Sequence, residues 1–133
     1  MIPKLVIANW KMAIDRDSVR HFRNEWEANQ ASSKAKILVA PPAIFLSDLD
    51  SMAGVALCGQ DVSANEPGAH TGELSAQMLD DFGCSHGLVG HSERRSSWSE
   101  SDALVAKKAL RLELLQIRPV ICVGESKADR ESG

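Results

Sequence analysis

The chain has 133 residues, enough for one domain or part of one, and its 44% hydrophobic and 25% charged residues are typical of a globular protein. The net charge of −3 comes from 15 basic and 18 acidic side chains without a block of like charges, which argues against nucleic-acid binding. Three widely spaced cysteines favour a reducing cytoplasm over a disulfide framework or a zinc site, and no apolar run approaches the ~18 residues of a membrane span.

Five short apolar runs predict β-strands. They are nearly continuous rather than alternating, which is typical of parallel strands buried on both faces of a sheet. In chain order they cover residues 5–8, 37–40, 55–58, 87–90 and 120–123.

Helical patterns fill the gaps between these runs. The first starts near Asp17, the second follows Pro42 and ends at Gly54, and the third begins after Ser75. The fourth covers 104–115, with Lys108 on its apolar face and capping residues at 99–102. The resulting order βαβαβαβαβ predicts an α/β fold with five parallel strands, and the long connection from 60 to 73 predicts a functional loop.

Polar side chains follow the first and fourth strands, at the edge of the sheet where parallel α/β folds carry their chemistry. Asn9 and Lys11 could face an oxyanion or a phosphate, and His91 could act as an acid, a base or an electrophile. The stretch after His91 could open a short helix with Ser92 near its cap. Each group also has a structural interpretation, since a single histidine after an apolar strand is more often a packed residue and a single lysine a solvated charge.

Five ordered blocks of sequence resemble the triosephosphate isomerase family, whose fold is the (β/α)₈ TIM barrel. They match the family in order and spacing, and residues 1–133 correspond to the N-terminal portion, roughly the first half, of its single ~250-residue barrel domain. The blocks are Ala8-Asn9-Trp10-Lys11-Met12, Gln60-Asp61-Val62-Ser63, Gly68-Ala69-His70-Thr71-Gly72-Glu73-Leu74-Ser75, Gly90-His91-Ser92-Glu93-Arg94-Arg95 and Ile121-Cys122-Val123-Gly124-Glu125.

The resemblance implies a cytoplasmic isomerase that interconverts dihydroxyacetone phosphate and glyceraldehyde 3-phosphate without cofactor or metal. Lys11 would stabilise the negative charge of the substrate, with Asn9 beside it. His91 would polarise the carbonyl as a neutral ring, and the family is itself the standard example of a neutral histidine paired with a glutamate base. Ser92 and Glu93 would support the site, with Glu93 near Lys11.

The resemblance also assigns roles outside the substrate pocket. Cys122 would pack behind the site. Residues 60–75 would form the loop that docks into the second subunit of a homodimer, with Thr71 at its tip and Gly72 beside it. Glu73 and Arg94 would form an ion pair at the base of this loop.

The family's catalytic glutamate and phosphate-binding loops follow later strands, and none of Glu93, Glu125 and Glu131 matches the motif of that base. We therefore expect the 133-residue chain to be a fragment without isomerase activity. A second hypothesis is a non-catalytic half-barrel that acts through self-association, because strands one and five would have unpaired edges. A third, a different sugar-phosphate barrel enzyme, is disfavoured by the two strand-end motifs.

Overall fold

The computed structural model describes residues 4–29, 34–125 and 127–133. Its five strands are β1 (Leu5–Asn9), β2 (Lys36–Ala40), β3 (Val55–Gly59), β4 (His86–Val89) and β5 (Arg118–Ile121). The helices are α1 (Arg16–Ala28), α2 (Ala76–Asp81), α3 (Ser92–Ser97), α4 (Asp102–Glu113) and α5 (Lys127–Ser132).

The strands form one parallel sheet in the order β1-β2-β3-β4-β5, which confirms the predicted partial barrel. Each neighbour in space is the next strand in the chain, as βα repeats require. This arrangement brings the carboxyl ends of β1 and β4 to the same end of the sheet.

Side-chain caps fix the starts of three predicted helices. The backbone N–H of Ser18 donates to Asp15 at the start of α1, and the N–H of Met78 donates to the Ser75 hydroxyl at the start of α2. Ser101 caps α4 in the same way. Each cap satisfies a backbone donor that has no partner within its helix.

The helix predicted between Pro42 and Gly54 is wrong. The segment instead forms two short 3₁₀ helices, Ala43–Phe45 and Ser47–Leu49, and Asp50 then returns to an extended conformation. Their apolar residues Phe45 and Leu49 are still buried, but Ile44 faces solvent. The connection from β2 to β3 is short, so two tight turns bury the apolar side chains without a regular helix.

Strand β5 begins and ends two residues before the predicted run and contains Pro119. Proline lacks the backbone donor that a central strand needs, but β5 lies at the edge of the described sheet. Gly90, predicted as the last residue of its strand, lies beyond β4 in a turn.

Two apolar clusters cover the two faces of the sheet. The larger lies between the sheet and the helices, and it includes Leu79 and Leu112, both without exposed surface. The smaller lies on the concave face and includes Leu38, Cys58 and Leu88. The residues at the centre of this face are buried, whereas Val6 on β1 and Ile121 on β5 are about half exposed.

Among residues 4–29, 34–125 and 127–133, no helix is long and apolar enough to cross a membrane.

Candidate functional site

The end of β1 presents Lys11 in a fixed backbone conformation. Lys11 has a φ of 52°, in the left-handed region that residues other than glycine rarely adopt. Two hydrogen bonds hold it there: its N–H donates to the Asn9 side-chain oxygen at 3.0 Å, and the Gln60 amide donates to its carbonyl at 3.0 Å. The same Gln60 amide donates to the Ala40 carbonyl at 2.8 Å, so the ends of β1, β2 and β3 are tied together.

The end of β4 presents His91 at the start of helix α3. His91 is itself the N-cap residue, whereas the sequence suggested Ser92. Its Nδ1 accepts the backbone N–H of Glu93 at 3.2 Å. This bond uses the lone pair of Nδ1, so a neutral ring carries its proton on Nε2 and can donate it to a ligand.

Glu93 joins the two strand ends. One carboxylate oxygen accepts from Lys11 Nζ at 2.7 Å, and the other lies 3.5 Å from His91 Nδ1. The hydrogen bond from Lys11 lowers the pKa of the Glu93 carboxyl, so this acid stays ionised beside the lysine at neutral pH. Both side chains of the pair are half exposed, so the pair orients Lys11 more than it stabilises the fold.

Lys11, His91 and Glu93 line one cavity of about 680 Å³ together with Asn9. The cavity also reaches Gln60, Asp61 and Arg94. Among these residues, two cations, two carboxylates, one imidazole and two neutral amides therefore face a single volume that is large enough for a small polar molecule.

Cys122 follows β5 and is half-buried, and its backbone N–H donates to the Val89 carbonyl at 2.9 Å. Burial raises the pKa of its thiol, which disfavours a role as nucleophile. It packs against the concave-face cluster that contains Cys58, whose pKa burial raises to about 12. Ser92 is exposed as the first residue of α3, and its carbonyl accepts the Ser96 hydroxyl at 2.9 Å.

The predicted ion pair between Glu73 and Arg94 is not formed within this chain. Arg94 Nε instead lies 2.9 Å from Asp61 and 2.7 Å from Glu100, while Glu73 is exposed. The buried carboxylate of Glu100 and the partly buried carboxylate of Asp61 already pair with the guanidinium, and a move to the exposed Glu73 would leave them without that charge compensation.

The connection from β3 to α2 contains no helix or strand between residues 60 and 75. Its base is closed by the Ser63 N–H, which donates to the Leu74 carbonyl at 2.7 Å. Thr71 and Gly72 lie in the exposed part of the loop, and Gly72 has a φ of 87°, which favours glycine.

Sequence reasoning missed the role of Lys108. It was assigned to the apolar face of α4, yet its ammonium is buried in contact with both Asp61 and Glu100. A lysine inside an apolar stripe is the signal that could have indicated a buried ion pair. Glu100, expected to cap α4, is instead one of its partners.

A sequence model for triosephosphate isomerase matches residues 4–133. The chain belongs to the triosephosphate isomerase family. The triosephosphate isomerase of Cupriavidus pinatubonensis is 46% identical over 136 residues, which cover 100% of this chain and 55% of that protein. The enzyme of the same name from Nitrosococcus oceani is 41% identical, with 96% of this chain and 52% of that protein covered.

The crystal structure of triosephosphate isomerase from Bartonella henselae has the same fold. It superposes with a TM-score of 0.88 at 34% identity, over 98% of this chain and 56% of that chain. The chain thus spans about half the length of the relatives that it matches, and its five strands correspond to part of a TIM barrel.

In the described residues, no group of three or more histidine, cysteine, aspartate or glutamate side chains is arranged to hold a metal ion. Glu125, at the strand end beside His91, is exposed and pairs with Arg130 at 2.8 Å.

Proposed function

We propose that this chain supplies the lysine and histidine side of a triose phosphate isomerase site. The observation that supports this most directly is the meeting of Lys11 and His91 in one cavity, with Glu93 in contact with both. The proposed reaction interconverts dihydroxyacetone phosphate and glyceraldehyde 3-phosphate. It needs only proton transfers between neighbouring carbons and oxygens, so neither cofactor nor metal is required.

Lys11 binds the substrate and stabilises its negative charge. Its backbone is fixed by Asn9 and Gln60, and its ammonium is directed by Glu93. A charge held in place before the substrate arrives stabilises an enediolate without a cost for reorganisation. The Asn9 side chain lies beside the same volume as a neutral polar group.

His91 polarises the substrate carbonyl through its Nε2–H. The hydrogen bond from the Glu93 backbone to Nδ1 sets this tautomer, and a base then removes a proton from the carbon next to the polarised carbonyl. The enediolate takes a proton back on the neighbouring carbon. We assign the base to a part of the complete barrel that follows β5, because the family resemblance places the catalytic glutamate after a later strand, and Glu93 and Glu125 are engaged in ion pairs.

We further propose that the complete protein is a cytoplasmic homodimer in which the loop at 60–75 docks into the partner subunit. Its exposed tip around Thr71 and Gly72 supports this, as does the exposure of Met12 and Trp98 beside the cavity. Glu73 and Arg94 would then meet only across the subunit interface.

A fusion protein tests the proposed function. It joins the 133 residues to the part of the Cupriavidus pinatubonensis enzyme that the match does not cover. We expect isomerase turnover, and we expect Lys11→Met to lower kcat/KM at least ~10²-fold because it removes a preorganised charge from the site. Lys107→Met, on the exposed surface of α4, is the matched control and should leave turnover unchanged. A folded fusion protein without turnover would contradict the proposal.

A second candidate function is association through the sheet edges. Val6 on β1 and Ile121 on β5 are about half exposed, and each lies on a strand with one unpaired edge in the described sheet. Such edges pair readily with other strands. Light scattering that gives the mass of a monomer at every protein concentration measured would count against this candidate.

A further inference from the structure

Helix α3 carries His91 at its N-cap, but the helix buries no side chain of its own that would fix its position. It has six residues, none of them buried, and isolated helices of this length are not stable in water. Its position must therefore come from contacts that its polar side chains make with the rest of the fold.

Besides the pair of Glu93 with Lys11, two arginines of α3 make those contacts. Arg95 donates to the Gly90 carbonyl at 2.7 Å and pairs with Asp102 at 2.7 Å, although the carboxylate of Asp102 is almost fully exposed. Arg94 reaches the carboxylates of Asp61 and Glu100, which are much less exposed. The ion pairs of Arg94 are thus better shielded from solvent than the ion pair of Arg95.

The two carboxylates that hold Arg94 depend in turn on Lys108. Its Nζ lies 2.8 Å from both oxygens of Asp61 and 2.5 Å from Glu100, and its side chain is 5% exposed. Lys108 and Arg94 together balance the charges of Asp61 and Glu100. The second oxygen of Glu100 is buried without a hydrogen-bond partner in the described residues, so this carboxylate has no other source of compensation.

Loss of Lys108 would leave the buried Glu100 and the partly buried Asp61 to share one guanidinium. Like charges in a poorly solvated site disfavour each other strongly. The carboxylates would separate, or one would take up a proton, and either change would alter the position of Arg94. Arg94 is one helical turn from His91, so a shift of Arg94 would move the start of α3. The His91 ring would then no longer be held in one orientation in the cavity.

We propose that Lys108 is a positioning residue for His91, acting through Asp61, Glu100 and Arg94 without contact with the substrate. This proposal rests on the proposed function of His91 but concerns the orientation of its ring, which is measurable without turnover. A purely structural Lys108 would stabilise the fold as a whole and leave the state of His91 in the folded protein unchanged.

The test is nitrogen NMR of ¹⁵N-histidine-labelled chain at neutral pH, with the His91 signals assigned by their loss in His91→Gln. In the unaltered chain we expect His91 to show the Nε2–H tautomer with Nδ1 as an acceptor. In Lys108→Met we expect its signals to move towards those of the exposed His21. His86, which is buried at the opposite end of β4 with Nδ1 2.8 Å from the Ser85 hydroxyl, should keep its pattern and report that the fold is intact.

Lys107→Met is the matched control, since it removes the neighbouring, exposed lysine of the same helix. It should leave the His91 signals unchanged. An unaltered His91 pattern in folded Lys108→Met would overturn the proposal, whether or not the fusion protein described above turns over substrate.

Loss of the His86 pattern would show that Lys108→Met fails to fold. In that case the proposal is tested with the double variant Glu100→Gln, Lys108→Met. It removes one charge of each sign and leaves Arg94 paired with Asp61. We expect the double variant to fold and to restore the His91 pattern. A double variant that fails to fold, or one that folds with a His21-like His91, would contradict action through charge balance.

Discussion

In the fusion protein, His91→Gln should lower kcat by about 10²- to 10⁴-fold, the usual range for loss of a well-placed proton-transfer group. The expectation follows from the hydrogen bond that fixes Nδ1 as an acceptor and leaves Nε2 to act on the substrate. Glutamine preserves a polar donor of similar length but cannot provide an imidazole proton. The measurement is steady-state turnover in both directions of the reaction.

A control separates this chemical effect from misfolding. The cap contact from Glu93 to His91 lies at a helix start, so its loss by itself costs about 1 kcal/mol of stability. Unfolding by urea should therefore show a small change while kcat falls steeply. A decrease in kcat of less than threefold would show that His91 does not polarise the substrate.

Gly90→Ala should destabilise the chain by about 2–5 kcal/mol. The residue has a φ of 68°, and the left-handed conformation costs a residue with a Cβ roughly 1–2 kcal/mol. A Cβ there would also lie 2.9 Å from both terminal carbons of Val105 and 2.8 Å from Arg95 Nη2. Overpacking of this kind costs roughly 1–3 kcal/mol more. Urea unfolding followed by tryptophan fluorescence gives the difference.

Gly83→Ala is the matched control for this prediction. Gly83 has a φ of 69°, yet a Cβ there would meet nothing within 4 Å. Its substitution should cost only the backbone part, roughly 1–2 kcal/mol. If both substitutions lowered the free energy of unfolding equally, Val105 and Arg95 would have moved away from the new Cβ without a measurable loss of stability.

The polar residues at the strand ends could be predicted from the sequence because they directly follow apolar runs. Asn9, Lys11 and His91 each follow a short aliphatic segment, and parallel strands of adjacent βα units end on the same side. The helix expected after Pro42 was wrong because the apolar pattern of so short a segment fits two 3₁₀ turns as well as a helix.

The charge cluster around Lys108 could not be assembled from the sequence. Its partners lie 47 positions away at Asp61 and eight positions away at Glu100, and only the folded sheet brings them together. The apolar pattern of α4 indicates that Lys108 faces inward, but not which carboxylates receive it. The pair of Glu73 and Arg94, which the resemblance implied, is not formed within the chain, where Arg94 binds Asp61 and Glu100 instead.

The most direct test of the account is a titration of the purified 133-residue chain with the complementary part of the Cupriavidus pinatubonensis enzyme, expressed as a separate polypeptide. Isomerase turnover is measured at each concentration. We predict no turnover above buffer for the chain alone, since we assign the base to the complementary part, and turnover that rises to saturation as the second polypeptide is added. Turnover by the chain alone at the level of the saturated mixture would contradict the claim that these residues build only one side of the site.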